Sequence, residues 1–191
     1  MKSKKSLTFD IVIHEIKAGW HWVWGRFCCP WLAAGGILVQ APALICPDGN
    51  KLVADGLARL LFLFSQMFAL IFAWRNRTVP SFRLVVIGFA ANLLVMLVNG
   101  GWMPVSPQTT LVIAPALAAG ELLYEQRLGC SKDQVLTVSH TLLQPLADIL
   151  VLPEWIPGYW AISAGDCLVA LGLAWAAWAF LHQQIVGSAG G

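Results

Sequence analysis

The chain has 191 residues, with 12 lysines and arginines against 10 aspartates and glutamates, a formal net charge of +2. With 58% hydrophobic and only 12% charged residues, it is too apolar for a water-soluble domain of this size, and a lipid bilayer is its expected surroundings. Its basic residues fall at segment ends and form no patch, which argues against a nucleic-acid partner.

Residues 1–26 open with Lys2, Lys4 and Lys5 and continue through His14, Glu15, Lys17 and the cluster Trp20, His21, Trp22 and Trp24. No apolar core of a signal peptide and no small-residue cleavage site follows the basic start, so the segment reads as a retained interfacial amphipathic helix. A first span is expected over about 27–46, made irregular by Pro30, Pro42, Gly35 and Gly36. About twenty residues at 1.5 Å each cover a hydrocarbon core of about 30 Å. A turn at Pro47, Asp48, Gly49 and Asn50 reverses the chain into a second span, about 52–74. Near its start Asp55 and Arg59 are spaced for an i, i+4 ion pair at the boundary.

Arg75, Arg77 and Arg83 then mark a cytoplasmic loop. A third span follows over about 84–99, and a fourth, 161–181, is closed by Trp175, Trp178 and His182. Eight basic residues (Lys2, Lys4, Lys5, Lys17, Arg26, Arg75, Arg77, Arg83) lie on the side of the N-terminus, against Lys51, Arg127 and Lys132 opposite. Under the positive-inside rule both termini are cytoplasmic. Residues 100–160 become a large extracytoplasmic connection, whose apolar run 110–119 is too short to span and is expected to be re-entrant or to lie flat.

Five cysteines form no C-x-x-C pair, and none has a histidine at metal-ligand spacing, so no metal site is expected. Cys28 and Cys29 read as small apolar residues at a helix start. Cys46 and Cys130, both on the outer side, could pair in an oxidising compartment.

Candidate function concentrates at the outer boundary. Asn99, Gly100, Gly101, Trp102, Met103, Pro104, Val105, Ser106 and Pro107 form a rigid, polar-edged loop that either caps the third span or cradles a ligand. Gly88, Asn92 and Asn99 share a helix face directed into the bundle. On the fourth span Ser163, Cys167, Ala170, Ala174 and Ala177 make a small-residue stripe. Asp166 borders it at an expected depth of about 7 Å. An acid there needs compensation, with Asn99, the Trp102 indole, the loop amides and Ser163 as candidates; otherwise it is a helix N-terminal acid favoured by the dipole. A Ser106, His140 and Asp166 triad lacks a nucleophile elbow. His14 and His21, seven apart, suit interfacial histidines better than haem ligands.

The stretch 99–107, read with Ser163, Ala164, Gly165, Asp166, Cys167, Leu168, Val169, Ala170, Leu171 and Gly172, resembles a bacterial family, domain-of-unknown-function family 5317. Residues 146–153 are also similar to it, with Ala147 where the family usually has glycine before the aspartate, Asp148. The resemblance covers about 31–180 and implies a small polytopic bacterial membrane protein without an established activity. It shifts the reading of the outer loop from capping toward a functional or assembly site.

The sequence is therefore expected to be an all-α integral membrane protein with about four transmembrane helices. It divides into an interfacial segment (1–26), one membrane domain (27–181) and a cytoplasmic tail (182–191), in a bacterial cytoplasmic membrane. The expected function is binding or assembly, through Asn99, Gly100, Gly101, Met103, Pro104, Ser106, Asp148 and Asp166. A partner, a lipid headgroup or a small ligand is the expected occupant, with the lipid bilayer and a membrane protein or a second copy as expected partners and no cofactor and no catalytic residue assigned. A small ion-coupled carrier using Asp166, or an enzyme at the outer surface using His140, Asp148 or Asp166, are the alternatives.

Overall fold

The computed structural model describes residues 27–47, 50–115, 124–153, 155–156 and 161–189, with side chains as far as His182. The expectations for residues 1–26, including His14 and His21, and for residues 116–119 of the run 110–119 lie outside the described residues.

Helix α1 is Pro30–Leu44, α2 Asp55–Arg75 and α3 Phe82–Val98. Local chemistry sets their ends. Pro30 opens α1, where a missing N–H is harmless, and Ile45 turns to an extended conformation at its close. In α2, Asp55 stands in the first turn and Arg75 in the last, each opposing the partial charge of its helix end. Helix α3 ends in a left-handed glycine motif: Gly100 has φ 74 and Gly101 φ 92, and the Gly101 N–H reaches back to the Met96 carbonyl at 2.6 Å.

Beyond α3 the chain enters a cap of short elements: β1 (Met103–Val105), α4 (Pro107–Ile113), β2 (Asp133–Val135), β3 (Leu150–Val151) and β4 (Ala161–Ile162), followed by α5 (Ala164–Ala189). Strands β1 and β2 pair in parallel, Met103 opposite Asp133, and β3 and β4 pair antiparallel. The all-α architecture is as expected, and the cap adds two short two-stranded sheets to it.

Two helices, α2 over 21 residues and α5 over the 19 from Ala164 to His182, are long and apolar enough to cross a membrane. The expectation was four. Helices α1 and α3 are apolar but stop at 15 and 17 residues, because Cys29 and Ile45 bracket the first and the glycine pair ends the second. Helix α5 begins at Ala164 and runs on to Ala189 through the expected tail.

Helix α1 packs on α2, α2 on α3, and α3 on α5. The α3–α5 contact is the closest: a Cβ on Gly88 would collide with the Gly165 carbonyl, and one on Gly172 with Val85. Buried small residues permit such an approach. The packed stripe of α5 is thus Gly165, Val169, Gly172 and Ala176, and the expected stripe is displaced from it by two positions. Ala170, Ala174 and Ala177 are exposed.

One core cluster, Ala43, Ala58, Phe62, Val95, Met96, Trp102 and Met103, lies under the cap; the other, Ala73, Phe82, Val85 and Ala176, lies at the opposite end. There Phe27 meets the rings of Phe72, Phe82 and Phe180 at 5.3–6.2 Å. Large apolar side chains such as Leu38, Ile87, Leu94, Leu171 and Trp178 point outward, 50–71% exposed. Such outward apolar faces fit a membrane-associated protein.

Candidate functional site

The glycine turn sends β1 into the middle of the cap. On one side the Met103 N–H donates to the Lys132 carbonyl at 3.0 Å; on the other the Asp148 N–H donates to the Pro104 carbonyl at 3.0 Å. Lys132 and Asp148 thus flank a single strand, and their side chains meet: Lys132 Nζ lies 2.7 Å from Asp148 Oδ2. The same ammonium is 3.7 Å from Asp133 Oδ1 and 3.9 Å from Asp166 Oδ2. Three carboxylates surround one cation.

Asp166 belongs to two structures at once. It stands in the first turn of α5, closer to the helix start than expected because the helix begins at Ala164. Ser163 and Asp166 form a reciprocal capping box: the Asp166 N–H donates to Ser163 Oγ at 2.9 Å and the Ser163 N–H donates to Asp166 Oδ2 at 3.1 Å. The other carboxylate oxygen accepts from Asn92 Nδ2 at 2.7 Å, and Ser163 Oγ donates to Asn92 Oδ1 at 2.8 Å. Asn92 is thus the α3 partner of this acid, together with the expected Ser163. Asn99, the Trp102 indole and the loop amides are not among the partners of Asp166.

Asp148 is buried, while 27% of the Lys132 side chain and 31% of that of Asp166 remain accessible. Asp148 Oδ1 and Asp133 Oδ1 are buried and accept no hydrogen bond. Burial drives the Asp148 carboxyl upward, against the attraction of Lys132 and with the repulsion of Asp133 and Asp166, to about 8. Lys132 is raised above 10.5: burial works to lower it, but Asp133, Asp148 and Asp166 outweigh that. With one ammonium among three acids, a carboxyl that keeps its proton into the neutral range relieves the excess of negative charge.

The other expected site residues make contacts within the fold. Asn99 Nδ2 donates to the Val95 and Leu142 carbonyls at 2.8 and 2.9 Å, and Asn99 Oδ1 accepts from the Leu142 N–H at 2.9 Å. It pins the cap to α3. Gly100 and Gly101 make the turn, with Gly101 against the Arg59 side chain, while Met103 and Pro104 are the buried spine β1. Ser106 caps α4 through its bond from the Thr109 N–H at 3.0 Å. The imagined triad is not assembled, since Ser106 bonds Thr109, His140 stands 3.8 Å from Glu125 on the surface, and Asp166 bonds Asn92.

Two further side chains went unnoticed in the sequence beyond their charge. Arg127, nearly buried, donates to the Ala43 and Ser131 carbonyls and contacts Asp55 at 3.5 Å. Its guanidinium lies 5.3 and 5.4 Å from the Phe62 and Trp102 ring centres. Asp55 accordingly pairs with Lys51 at 2.9 Å and with Arg127 instead of Arg59, and Arg59 lies over the Trp102 ring. Beside Arg127, Cys130 is joined to Cys46 by a disulfide. Lys132 is the second missed residue. No spacing rule reaches it, because its partners lie 16 and 34 positions away, and only its place beside Asp133 in an otherwise apolar chain marked it.

The chain is 31% identical over 113 residues to an uncharacterized protein of Thermotoga maritima, a match that takes in 56% of this chain and 55% of the relative. It thus spans about half the length of that relative. No solved structure matches the chain. A model described as a family of unknown function, DUF5317, matches residues 26–178, a stretch that includes α1 to α3, the whole cap, the Lys132 cluster and the packed half of α5. By that match the chain belongs to the family of unknown function DUF5317.

Proposed function

We propose that this protein is a four-crossing component of a bacterial cytoplasmic membrane, with both termini cytoplasmic, and that it acts by binding at the Lys132 cluster on its outer face. The single observation behind the binding site is the unbalanced charge. Lys132 meets three carboxylates within 3.9 Å, and two carboxylate oxygens there accept no hydrogen bond. A cationic group from a second membrane protein or a second copy would complete that arrangement, whereas the cluster contains no activated nucleophile that would make it a catalytic one.

Several features support the topology. Cys46 is oxidised at one end of α1 while Cys28 and Cys29 are free thiols at the other, as expected of a helix between an oxidising and a reducing compartment. The free thiols share their end with Arg75, Arg77 and Arg83. Helices α1 and α3, at about 22 and 26 Å by helical rise, fall short of a core of about 30 Å, a mismatch that local thinning and helix packing accommodate at modest cost.

Affinity purification from detergent-solubilised membranes tests the binding role. A second chain that co-purifies with the wild type and is lost from Asp166→Asn, at equal accumulation of the protein, supports it. Identical accumulation and co-purification for Asp148→Asn and Asp166→Asn would sink it. For the topology, Gln108→Cys and Arg77→Cys in a background lacking Cys28, Cys29 and Cys167 should react with an impermeant maleimide from the outside and only after permeabilisation, respectively.

A further inference from the structure

Cys28 and Cys29 stand at the end of α1 away from the disulfide and take no part in the Lys132 cluster. Adjacent side chains on an extended backbone point to opposite faces, which separates neighbouring thiols. Here Cys29 adopts φ 55, ψ 51, a left-handed conformation that is unfavourable for a residue with a Cβ. That turn brings the two Sγ atoms to 3.5 Å.

The turn is held from both sides. Pro30 begins α1 directly after it. Asn76, at the end of α2, accepts from the Cys28 N–H at 2.7 Å and donates to the Cys28 carbonyl at 2.9 Å, and its amide is fixed in turn on the Phe72 carbonyl at 2.8 Å. Cys28 is exposed and Cys29 partly so, and both are free thiols. The nearby Arg75 guanidinium draws the Cys28 thiol below its ordinary range, while the neighbouring Cys28 raises Cys29. The shifts are opposite in direction, so Cys28 ionises more readily than Cys29, and the thiolate is the nucleophile and ligand.

We propose that Cys28 and Cys29 form a binding site for a trivalent thiophilic metalloid of the arsenic and antimony class. Soft thiolates select soft acceptors, and the sulfur separation distinguishes among these. With bonds of about 2.3 Å, the length found in zinc thiolates, sulfurs at the observed spacing subtend about 100° at the bound atom. A two-coordinate cation prefers a straight S–M–S unit, which at the same bond length needs sulfurs about 4.6 Å apart. A four-coordinate metal needs more protein ligands, and among the described residues no three or more His, Cys, Asp or Glu are grouped to hold one. A pyramidal metalloid, with bonds near right angles, needs two thiols and brings its own third substituent.

The reaction with an organic arsenoxide is a condensation without redox change. Two arsenic–sulfur bonds replace the bonds to the oxide oxygen. That oxygen leaves as water with the two protons of the thiols, and arsenic stays trivalent.

Phenylarsine oxide, added to the full-length protein in detergent with the Cys46–Cys130 disulfide intact, tests the assignment by intact mass and by maleimide labelling of the remaining thiols. The expected product carries one phenylarsine group with loss of one water. Cys28 and Cys29 become blocked together, Cys167 stays reactive, and a dithiol reverses the adduct. Cys28→Ser and Cys29→Ser should each bind about 100-fold more weakly, the low end of what a second linked contact contributes, whereas Cys167→Ser should bind as the wild type does. Failure of the wild type to form the adduct, or its persistence in either serine variant, would overturn the proposal. Should a serine variant not accumulate, peptide mapping of the wild-type adduct decides: arsenic on the peptide containing both cysteines supports the site, and arsenic on Cys167 overturns it. Asn76→Ala should weaken binding about tenfold by releasing the preorganised turn; unchanged affinity there would remove the geometric basis of the metalloid assignment.

Discussion

Lys132 Nζ lies 2.7 Å from Asp148 Oδ2, although the two residues are 16 positions apart and belong to different elements. Strand β1 is what joins them, since it hydrogen-bonds the backbone of each on opposite sides. Removing the cation leaves three acids facing one another. Lys132→Met should therefore destabilise the protein by about 3–5 kcal/mol, the usual result of breaking a buried pair from one side. Asp148→Asn keeps the shape of a carboxyl that already holds its proton below about pH 8, so its melting temperature in detergent at neutral pH should stay close to that of the wild type. Equal losses in the two variants would contradict the charge imbalance.

The raised Asp148 carboxyl makes a pH prediction with a definite sign. Its folded value, about 8, lies above its ordinary value of 3.8, so the folded state binds the proton more tightly than the unfolded chain does. The stabilisation is fully present below about pH 4 and is lost as pH rises through about 8. Infrared spectroscopy should show a protonated-carboxyl band that disappears across that upper range and is missing from Asp148→Asn.

The disulfide ties the cap to the end of α1 across 84 positions. Closing a loop of that length stabilises by about 4–5 kcal/mol in the chain-entropy treatment. Cys130→Ser should lower the unfolding temperature and abolish the mobility shift between reducing and non-reducing gels. An unchanged unfolding temperature would mean that Arg127, which reaches the Ala43 carbonyl from the same loop, anchors the cap unaided.

At the closest approach of α3 and α5, a Cβ on Gly165 would collide with Asn92 Oδ1. Gly165→Ala should cost about 1–3 kcal/mol through overpacking and displace Asn92 from Asp166. Ala174→Leu, on the exposed side of α5, should be tolerated. The reverse outcome would restore the alanine stripe as the packed face.

Much of the helical layout was legible, because apolar runs and basic loops are local signals. So were Asp148 and Asp166 as residues of interest, since charge is rare in this chain. The face of α5 that packs was not. The stripe of Ser163, Cys167 and the alanines repeats at helical spacing as well as the glycine stripe does. Only the partner helix selects between them, by admitting Gly165 and Gly172 where a side chain would collide. The loop 99–107 was legible as a rigid turn, but its strand is paired by segments some 30 to 45 positions away, out of reach of any local pattern.

The sequence by itself determined the apolar character of the chain, the positions of its long helices and the ends that Pro30, Asp55 and the Gly100–Gly101 pair impose, since each depends on hydropathy or on backbone chemistry within a few residues. Tertiary structure alone decided that Lys132 faces three carboxylates, that Asn92 and not Asn99 meets Asp166, and that Cys46 reaches Cys130. These are encounters between distant segments, and their geometry arises only when β1 is threaded through the cap and the glycine faces of α3 and α5 close on each other.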